Sequence, residues 1–151
     1  MKLYRIADSR YADKLIASGR PARWNSKGVA MLYFAENLAL ACLENAVHRS
    51  QMELVNSNFS KIIVEAPDSF LDVDINNLPA GWDDKSMKGK ILSQQVGDSW
   101  IHSNSSLILR VPSVILPGDG NNFLVNPDHS EFNLLKILDI SPFEFDPRIK
   151  G

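Results

Sequence analysis

The chain has 151 residues, of which 44% are hydrophobic and 23% charged, an ordinary globular composition that predicts one domain over residues 1–151 with one core. A single cysteine, Cys42, excludes a disulfide framework and favours a reducing, cytoplasmic location. The net charge of −2 with scattered Lys and Arg argues against direct nucleic-acid binding, and the absence of a signal-peptide pattern or an uninterrupted apolar span argues against a membrane protein.

The first third of the chain predicts a strand, a helix, and then a strand–turn–helix unit. Residues 2–7 are typical of a strand, and residues 10–17 of a short helix that Gly19 and Pro21 end. A polar loop over 20–28 follows and contains Arg23. Residues 30–35 have the apolar and aromatic side chains of a buried strand, which leads directly into a helix over 36–49.

The helix over 36–49 carries a carboxylate beside its apolar positions. Leu40, Leu43 and Val47 recur at the helical period, so this face is expected to be buried. Glu44 follows Leu40 by four residues and therefore lies beside the predicted stripe. Because desolvating a carboxylate is costly unless the group is paired or protonated, Glu44 is a candidate functional residue.

The rest of the chain continues the mixture of strands and one further long helix. A helix is predicted over 85–102, although Gly89 and Gly97 weaken the helical pattern. Strands are predicted over 61–66, 70–73, 107–111, 123–126, 136–140 and 143–145, and loops over 76–84, 118–122 and 127–130. The sequence therefore predicts a mixed α/β (α+β) fold in a single compact domain.

Familiar catalytic and metal-binding templates are missing from the sequence. No serine has the Gly-x-Ser-x-Gly flanks of a hydrolase, and the three histidines are isolated, so no metal site is expected. Asp72 to Asn76 resembles the opening of a calcium loop, but Asn77 stands where that loop needs glycine, which favours a polar turn. Cys42, on a mostly apolar helix, is expected to be an inert core residue.

Five polar or aromatic residues remain as candidates for a nucleotide site. An arginine suits a pyrophosphate, a tyrosine can stack on a flat ring, and a glutamate can hold ribose hydroxyls or stabilise a developing cation. Each also has an ordinary structural explanation, as a solvated charge, a core aromatic residue or a turn residue. The five are Arg23, Tyr33, Glu44, Ser113 and Asn126.

The segments that contain these residues resemble the RES family of toxins, named after an arginine, a glutamate and a serine. The resemblance also includes Tyr4-Arg5 near the start, and so spans nearly the whole chain. Its main segments are Ala22-Arg23-Trp24-Asn25-Ser26-Lys27-Gly28, Tyr33-Phe34-Ala35-Glu36, Leu43-Glu44, Arg110-Val111-Pro112-Ser113-Val114 and Asn122-Phe123-Leu124-Val125-Asn126-Pro127-Asp128-His129.

This resemblance implies a fold similar to that of ADP-ribosyltransferases and a toxin held inactive by an Xre-type antitoxin, with a homo-oligomer in the toxin–antitoxin complex. It implies that NAD⁺ is the substrate, with no other cofactor. Arg23 and Glu44 would be the catalytic residues, with Arg23 on the phosphates or ribose and Glu44 at the scissile ribose. Tyr33 would pack against nicotinamide, Ser113 would orient the dinucleotide, and Asn126 would also contact NAD⁺.

Three functions remain open at this stage. The first is cleavage of the nicotinamide–ribose bond of NAD⁺, with water or phosphate as acceptor, in which a carboxylate stabilises an oxocarbenium-like ribose. The second is transfer of ADP-ribose to a protein. The third is a non-catalytic nucleotide-binding or interaction module, in which Arg23 and Glu44 form a structural ion pair.

Overall fold

A computed structural model describes residues 1–151 and contains seven strands and three α-helices. The strands are β1 (Lys2–Asp8), β2 (Leu32–Ala35), β3 (Phe59–Glu65), β4 (Leu71–Asp72), β5 (Ile108–Pro112), β6 (Asn121–Val125) and β7 (Lys136–Phe143). The helices are α1 (Leu38–His48), α2 (Gln51–Asn56) and α3 (Met87–Ser103). The mixed α/β fold class predicted from the sequence is confirmed.

The chain divides into two compact units, each made of segments that are distant in sequence. Unit 1 consists of Met1–Leu15, Phe34–Asp68 and Leu134–Gly151, and unit 2 of Ile16–Tyr33 and Ser69–Asn133. The prediction of one domain over residues 1–151 stays a prediction. No helix in either unit is both long and apolar enough to cross a membrane.

Unit 1 is a sheet with two helices packed on one face. Its strands follow the order β2-β1-β3-β7, in which only Phe34 and Ala35 of β2 belong to this unit. Strand β1 pairs with β3 along its whole length, from Lys2 opposite Glu65 to Asp8 opposite Phe59. Side chains alternate between the two faces of a strand, so Ile6 and Phe59 share one core with α1 and α2. Phe145 closes this core with its ring edge-on to Phe59, at a centroid distance of 5.0 Å.

The two helices of unit 1 have well-formed ends. Asn37 caps α1 by accepting a hydrogen bond from the backbone N–H of Leu40 at 2.8 Å, and the Lys150 ammonium binds the last carbonyl groups of this helix. Ser50 and Glu53 form a reciprocal capping box at the start of α2. Helix α2 was not predicted, although the Ser-x-x-Glu spacing of this box was a signal for it in the sequence.

Unit 2 combines short strands with the long helix α3. Strand β4 runs parallel to β5, and β5 is antiparallel to β6, with Ile108 opposite Val125. The core of this unit contains three buried tryptophans, Trp24, Trp82 and Trp100. Trp24 and Trp82 lie 5.7 Å apart between ring centroids, so the loop that carries Trp24 is joined to the segment before α3.

Several predicted elements differ from those observed. The predicted helix over 10–17 was wrong: only a single 3₁₀ turn forms there, at Ser9–Tyr11, and both Tyr11 and Ile16 are exposed. The Asp8 carboxylate accepts a hydrogen bond from the backbone N–H of Arg10, which favours a turn in place of a helix. The two predicted strands over 136–140 and 143–145 are replaced by the single strand β7, whose position at the end of the strand order tolerates Pro142.

The predicted buried stripe of α1 was also wrong at two of its three positions. Leu40 is buried, but Leu43 and Val47 are exposed at 36% and 48%. Ala41 and Ala46 face the core instead, because α1 presents small side chains where it packs on the sheet of unit 1. Periodicity therefore predicted the helix correctly. It placed the buried face wrongly by about one residue position, which is a rotation of ~100° about the helix axis.

Candidate functional site

Arg23 lies in a tight turn, Ala22–Asn25, which we call the arginine turn. The backbone N–H of Ala22 donates to the carbonyl of Asn25 at 3.0 Å and closes the turn. Trp24 is 2% exposed and anchors it in the core of unit 2. The Arg23 guanidinium donates from Nη1 to two backbone carbonyls, those of Trp82 and Asp84, at 3.2 Å each. The cation is therefore hydrogen-bonded to the backbone of the segment before α3, within unit 2.

Tyr33 supports the arginine turn through its hydroxyl group. The hydroxyl accepts a hydrogen bond from the backbone N–H of Trp24 at 3.1 Å and donates to Oδ1 of Asn25 at 2.6 Å. Burial raises the pKa of this phenol above its usual value, so the hydroxyl remains protonated and able to donate at physiological pH. Both hydrogen bonds hold the loop, so only the Tyr33 ring can provide the predicted contact with nicotinamide.

Asn25 connects the arginine turn with the rest of its loop. Its Nδ2 atom donates to the carbonyl of Arg20 at 2.9 Å and to that of Val29 at 3.0 Å. Asn25 is 2% exposed, and a buried amide with these partners gives the loop a single conformation. Sequence reasoning placed Asn25 in the family motif but gave it no role; the buried hydrogen-bond network shows that it organises the loop.

Glu44 lies on α1 in unit 1, in a different unit from Arg23, and is half-buried. Its helix is fixed to β1, because Nδ2 of the neighbouring Asn45 donates to the carbonyl of Ile6 at 3.0 Å. Ala41, one helical turn before Glu44, is buried in the core of unit 1. Glu44 therefore lies at the border between the buried and exposed faces of a helix that is hydrogen-bonded to β1.

Ser113 and Asn126 lie at opposite ends of the β5–β6 pair. Ser113 follows β5 where Pro112 pairs with Asn121, whereas Asn126 follows β6 where Ile108 pairs with Val125. A rise of about 3.3 Å per residue separates these ends by roughly 15–20 Å. The structure therefore does not bring these two predicted site residues to one point.

The side chains of Ser113 and Asn126 both stabilise turns. Ser113 is 1% exposed and its Oγ accepts hydrogen bonds from the backbone N–H groups of Ile115 and Leu116 at 3.1 and 3.3 Å. Asn126 accepts from the backbone N–H of Asp128 at 3.0 Å and donates to Oδ1 of Asn104 at 2.9 Å. Their predicted contacts with NAD⁺ remain predictions beside these structural roles.

Arg5 is a candidate that the sequence analysis noted only as part of a motif. It lies in the middle of β1 between the buried Leu3 and Ala7, opposite Ile62, which is 1% exposed. Burial lowers the pKa of its guanidinium. A desolvated cation is costly in a sheet, so an anion is its natural partner. The sequence did contain a signal for Arg5, because in a strand this charged residue lies on the same face as the apolar Leu3 and Ala7.

The candidate residues of the two units, each considered in its own unit, offer two kinds of chemistry. Arg23, on the arginine turn, and Arg5, on β1, can bind phosphate or pyrophosphate oxygens. Glu44, on α1, can stabilise positive charge that develops on a bound substrate.

The model of the RES domain family matches residues 2–146. The chain belongs to this family. A RES relative called Toxin Res, from Yersinia enterocolitica serotype O:8 / biotype 1B (strain NCTC 13174 / 8081), is 36% identical over 156 residues, covering 99% of this chain and 100% of the relative. The Prs ADP-ribosylating toxin of Sphingobium sp. (strain YBL2) is also 36% identical, over 145 residues that cover 91% of this chain and 88% of the toxin.

A solved structure shares the fold of this RES chain. It is the crystal structure of the M. tuberculosis MbcT–MbcA toxin–antitoxin complex, in which a chain aligns with a TM-score of 0.73 at 16% sequence identity. The alignment covers 99% of this chain and 86% of that chain. The family match over residues 2–146 and the relatives at 36% identity confirm the family predicted from the sequence motifs, whereas the roles of the individual site residues stay predictions.

Proposed function

We propose that this RES chain is the toxin of a toxin–antitoxin pair and that it cleaves the nicotinamide–ribose bond of NAD⁺. Family membership supports the toxin assignment, together with relatives named Toxin Res and a structural neighbour from a toxin–antitoxin complex. The observation that carries the substrate assignment is the arginine turn. The Arg23 guanidinium donates to two backbone carbonyls and the buried Trp24 anchors the turn, which supports binding of a pyrophosphate to a pre-positioned cation.

In this proposal Arg23 binds the dinucleotide and Glu44 acts on the ribose. Arg23, in unit 2, binds the phosphates or the adjoining ribose, and Arg5, in unit 1, is a further cation that can bind an anion. Tyr33 presents its ring to nicotinamide, because its hydroxyl is already bound to the arginine turn. Ser113 orients the dinucleotide from the end of β5, and Asn126 contacts it from the end of β6.

The reaction needs charge stabilisation more than acid catalysis. As the bond between C1′ and the nicotinamide nitrogen breaks, its electron pair leaves with nicotinamide, which departs as a neutral ring. Positive charge then develops on the ribose, and the Glu44 carboxylate stabilises it. Water or phosphate bonds to C1′, and attack by water releases a proton. Because the leaving group is neutral, a catalytic histidine is not required.

A nicotinamide-release assay tests the catalytic assignment. Purified chain is incubated with NAD⁺, with and without inorganic phosphate, and free nicotinamide is measured. Glu44→Gln is expected to lower the rate by about 100- to 1000-fold, the size of effect seen when one transition-state electrostatic contact is removed. The matched control is Glu144→Gln, which changes an exposed glutamate in the same unit. Unchanged turnover in Glu44→Gln would refute the role of Glu44.

The second candidate function is transfer of ADP-ribose to a protein, which the name of the Sphingobium relative favours. Both reactions release nicotinamide and use the same residues up to the oxocarbenium-like state. They differ in the acceptor. NAD⁺ labelled in its adenine distinguishes them: label on a small molecule supports hydrolysis or phosphorolysis, and label on a macromolecule supports transfer.

The proposed partner is an Xre-type antitoxin that covers the site. An antitoxin segment that presents a carboxylate to Arg23 would compete with the phosphates of NAD⁺ for the same cation. Arg23→Ala is then expected to weaken both the antitoxin complex and NAD⁺ binding, measured by calorimetry. Tight binding of NAD⁺ to the wild-type chain without turnover would instead support a non-catalytic nucleotide-binding module.

A further inference from the structure

We infer that helix α3 is the positioning element of the arginine turn and that Gln94 is its central positioning residue. This inference rests on the proposed function and extends it to residues far from Arg23 in sequence. All the contacts that support it lie within unit 2. They involve the backbone of every residue in the turn, Ala22–Asn25.

Two side chains of α3 bind three carbonyl groups of the turn. Nε2 of Gln94 donates to the carbonyl of Ala22 at 2.8 Å and to that of Asn25 at 3.0 Å. Oγ of Ser93 donates to the carbonyl of Arg23 itself at 2.5 Å. The carbonyl of Asn25 also accepts from the backbone N–H of Ala22, whereas α3 provides the donors for the carbonyls of Ala22 and Arg23. Together these contacts determine the direction in which the Arg23 side chain leaves the backbone.

The fourth carbonyl of the turn, that of Trp24, lies against a glycine of α3. A Cβ atom on Gly97 would be 1.8 Å from the Trp24 carbonyl oxygen, so only glycine permits this approach. One helical turn from Gln94, the Asp98 carboxylate then binds the start of the next segment. It accepts from the backbone N–H of Ser26 at 3.0 Å and from the Ser26 hydroxyl at 2.5 Å. We call Ser93, Gln94, Gly97 and Asp98 the α3 clamp.

The α3 clamp has more contacts than packing alone requires. A helix that only covered an apolar core would present apolar side chains to the loop, whereas here Ser93 is fully buried and its polar atom is bound to the residue that carries the cation. Bound backbone carbonyls give Arg23 one orientation before substrate arrives. Pre-organisation of this kind raises the rate because the cost of ordering is met during folding.

A matched pair of substitutions separates positioning from stability. Gln94→Met removes the donor of two hydrogen bonds at similar size, and Gln95→Met makes the same change at an exposed position of the same helix. We expect Gln94→Met to lower kcat/KM for NAD⁺ by about 100-fold, the cost of misplacing a binding group by about 1 Å. Gln95→Met should leave it unchanged. When Arg23→Ala is also present, Gln94→Met and Gln95→Met should have equal kcat/KM values for NAD⁺.

The second readout does not depend on catalysis. Hydrogen exchange measured by mass spectrometry should be faster over residues 20–29 in Gln94→Met than in Gln95→Met. If the wild-type chain releases no nicotinamide, the proposed function fails. The hydrogen-exchange rates over residues 20–29 then test by themselves whether the α3 clamp holds the arginine turn. Equal kcat/KM in the two variants, or equal loss caused by Gln94→Met with and without Arg23, would overturn the positioning role of Gln94.

Asp98→Asn is the milder variant if Gln94→Met does not fold. It retains one acceptor oxygen for Ser26 and removes the negative charge. We expect kcat/KM to fall by about 10-fold, the effect of weakening one charge-assisted contact by about 1.4 kcal/mol. A folded Asp98→Asn protein with wild-type kinetics and wild-type exchange over residues 20–29 would also contradict the inference.

Discussion

Gly97→Ala tests the close contact between α3 and the arginine turn most severely. The added Cβ atom would lie 1.8 Å from the carbonyl oxygen and 2.7 Å from the carbonyl carbon of Trp24, and both are backbone atoms that cannot rotate away. Ordinary carbon–oxygen contacts are near 3.3 Å, so the helix or the turn must move by about 1.5 Å. A shift of this size breaks the contacts of Ser93 and Gln94 with the turn.

The expected loss of stability follows from these contacts. The three hydrogen bonds contribute about 1 kcal/mol each, and overpacking costs a further 1–3 kcal/mol or so, whereas alanine gains about 1 kcal/mol over glycine in a helix. The net effect is a fall of about 3–5 kcal/mol in the free energy of unfolding. At roughly 3 °C per kcal/mol for a chain of this size, Tm should fall by about 10 °C or more.

Calorimetry and urea unfolding measure this loss. Ser99→Ala is the control, because Ser99 is exposed on the same helix and its loss should change Tm by less than about 2 °C. Gly97→Ala should also raise the hydrogen-exchange rate of residues 20–29. A Gly97→Ala protein as stable as the wild type, with unchanged exchange there, would refute the close contact.

Three further changes test single contacts. Tyr33→Phe leaves the Trp24 N–H and the Asn25 amide without the phenol and should lower the free energy of unfolding by about 1–3 kcal/mol, measured by urea unfolding. Asn126→Ala removes a hydrogen-bond donor and an acceptor at a turn and should lower the free energy of unfolding by ~1–2 kcal/mol. The KM of this variant for NAD⁺ tests the predicted contact between Asn126 and NAD⁺. The Arg10 hydrogen bond lowers the pKa of Asp8 from 3.8 to about 2, so this pair stabilises the fold above about pH 4, and the stability is lost as the pH falls through about 2. Asp8→Asn should therefore flatten the stability profile over that acid range, and an unchanged profile would contradict the pairing.

The sequence predicted the long regular elements because their patterns are local. The apolar runs of β3 and β5 and the extent of α1 and α3 follow from periodicity over neighbouring residues. The prediction of a helix over 10–17 was wrong because a turn capped by the Asp8 carboxylate forms there. The predicted buried face of α1 was wrong because alanines pack on the sheet at positions where leucine was expected. Gly97, which weakened the prediction of α3, is needed there for contact with the arginine turn.

The candidate site was predictable only in part. Motif spacing proposed Arg23, Tyr33 and Glu44 as site residues, and their roles stay predictions. The α3 clamp could not be predicted, because Ser93 and Arg23 are 70 residues apart and no local pattern connects them. Periodicity likewise could not show that Ser113 and Asn126 lie at opposite ends of one strand pair, which depends on the register of β5 with β6.

The most direct test of the proposed function follows the nicotinamide–ribose bond itself. NAD⁺ labelled separately in nicotinamide and in adenine is incubated with the purified wild-type chain, and the two labels are traced by chromatography. The proposed function predicts that they separate with time, with nicotinamide released as a free molecule and the adenine label in a different product. Labels that remain together in intact NAD⁺, bound to a folded chain, would contradict it.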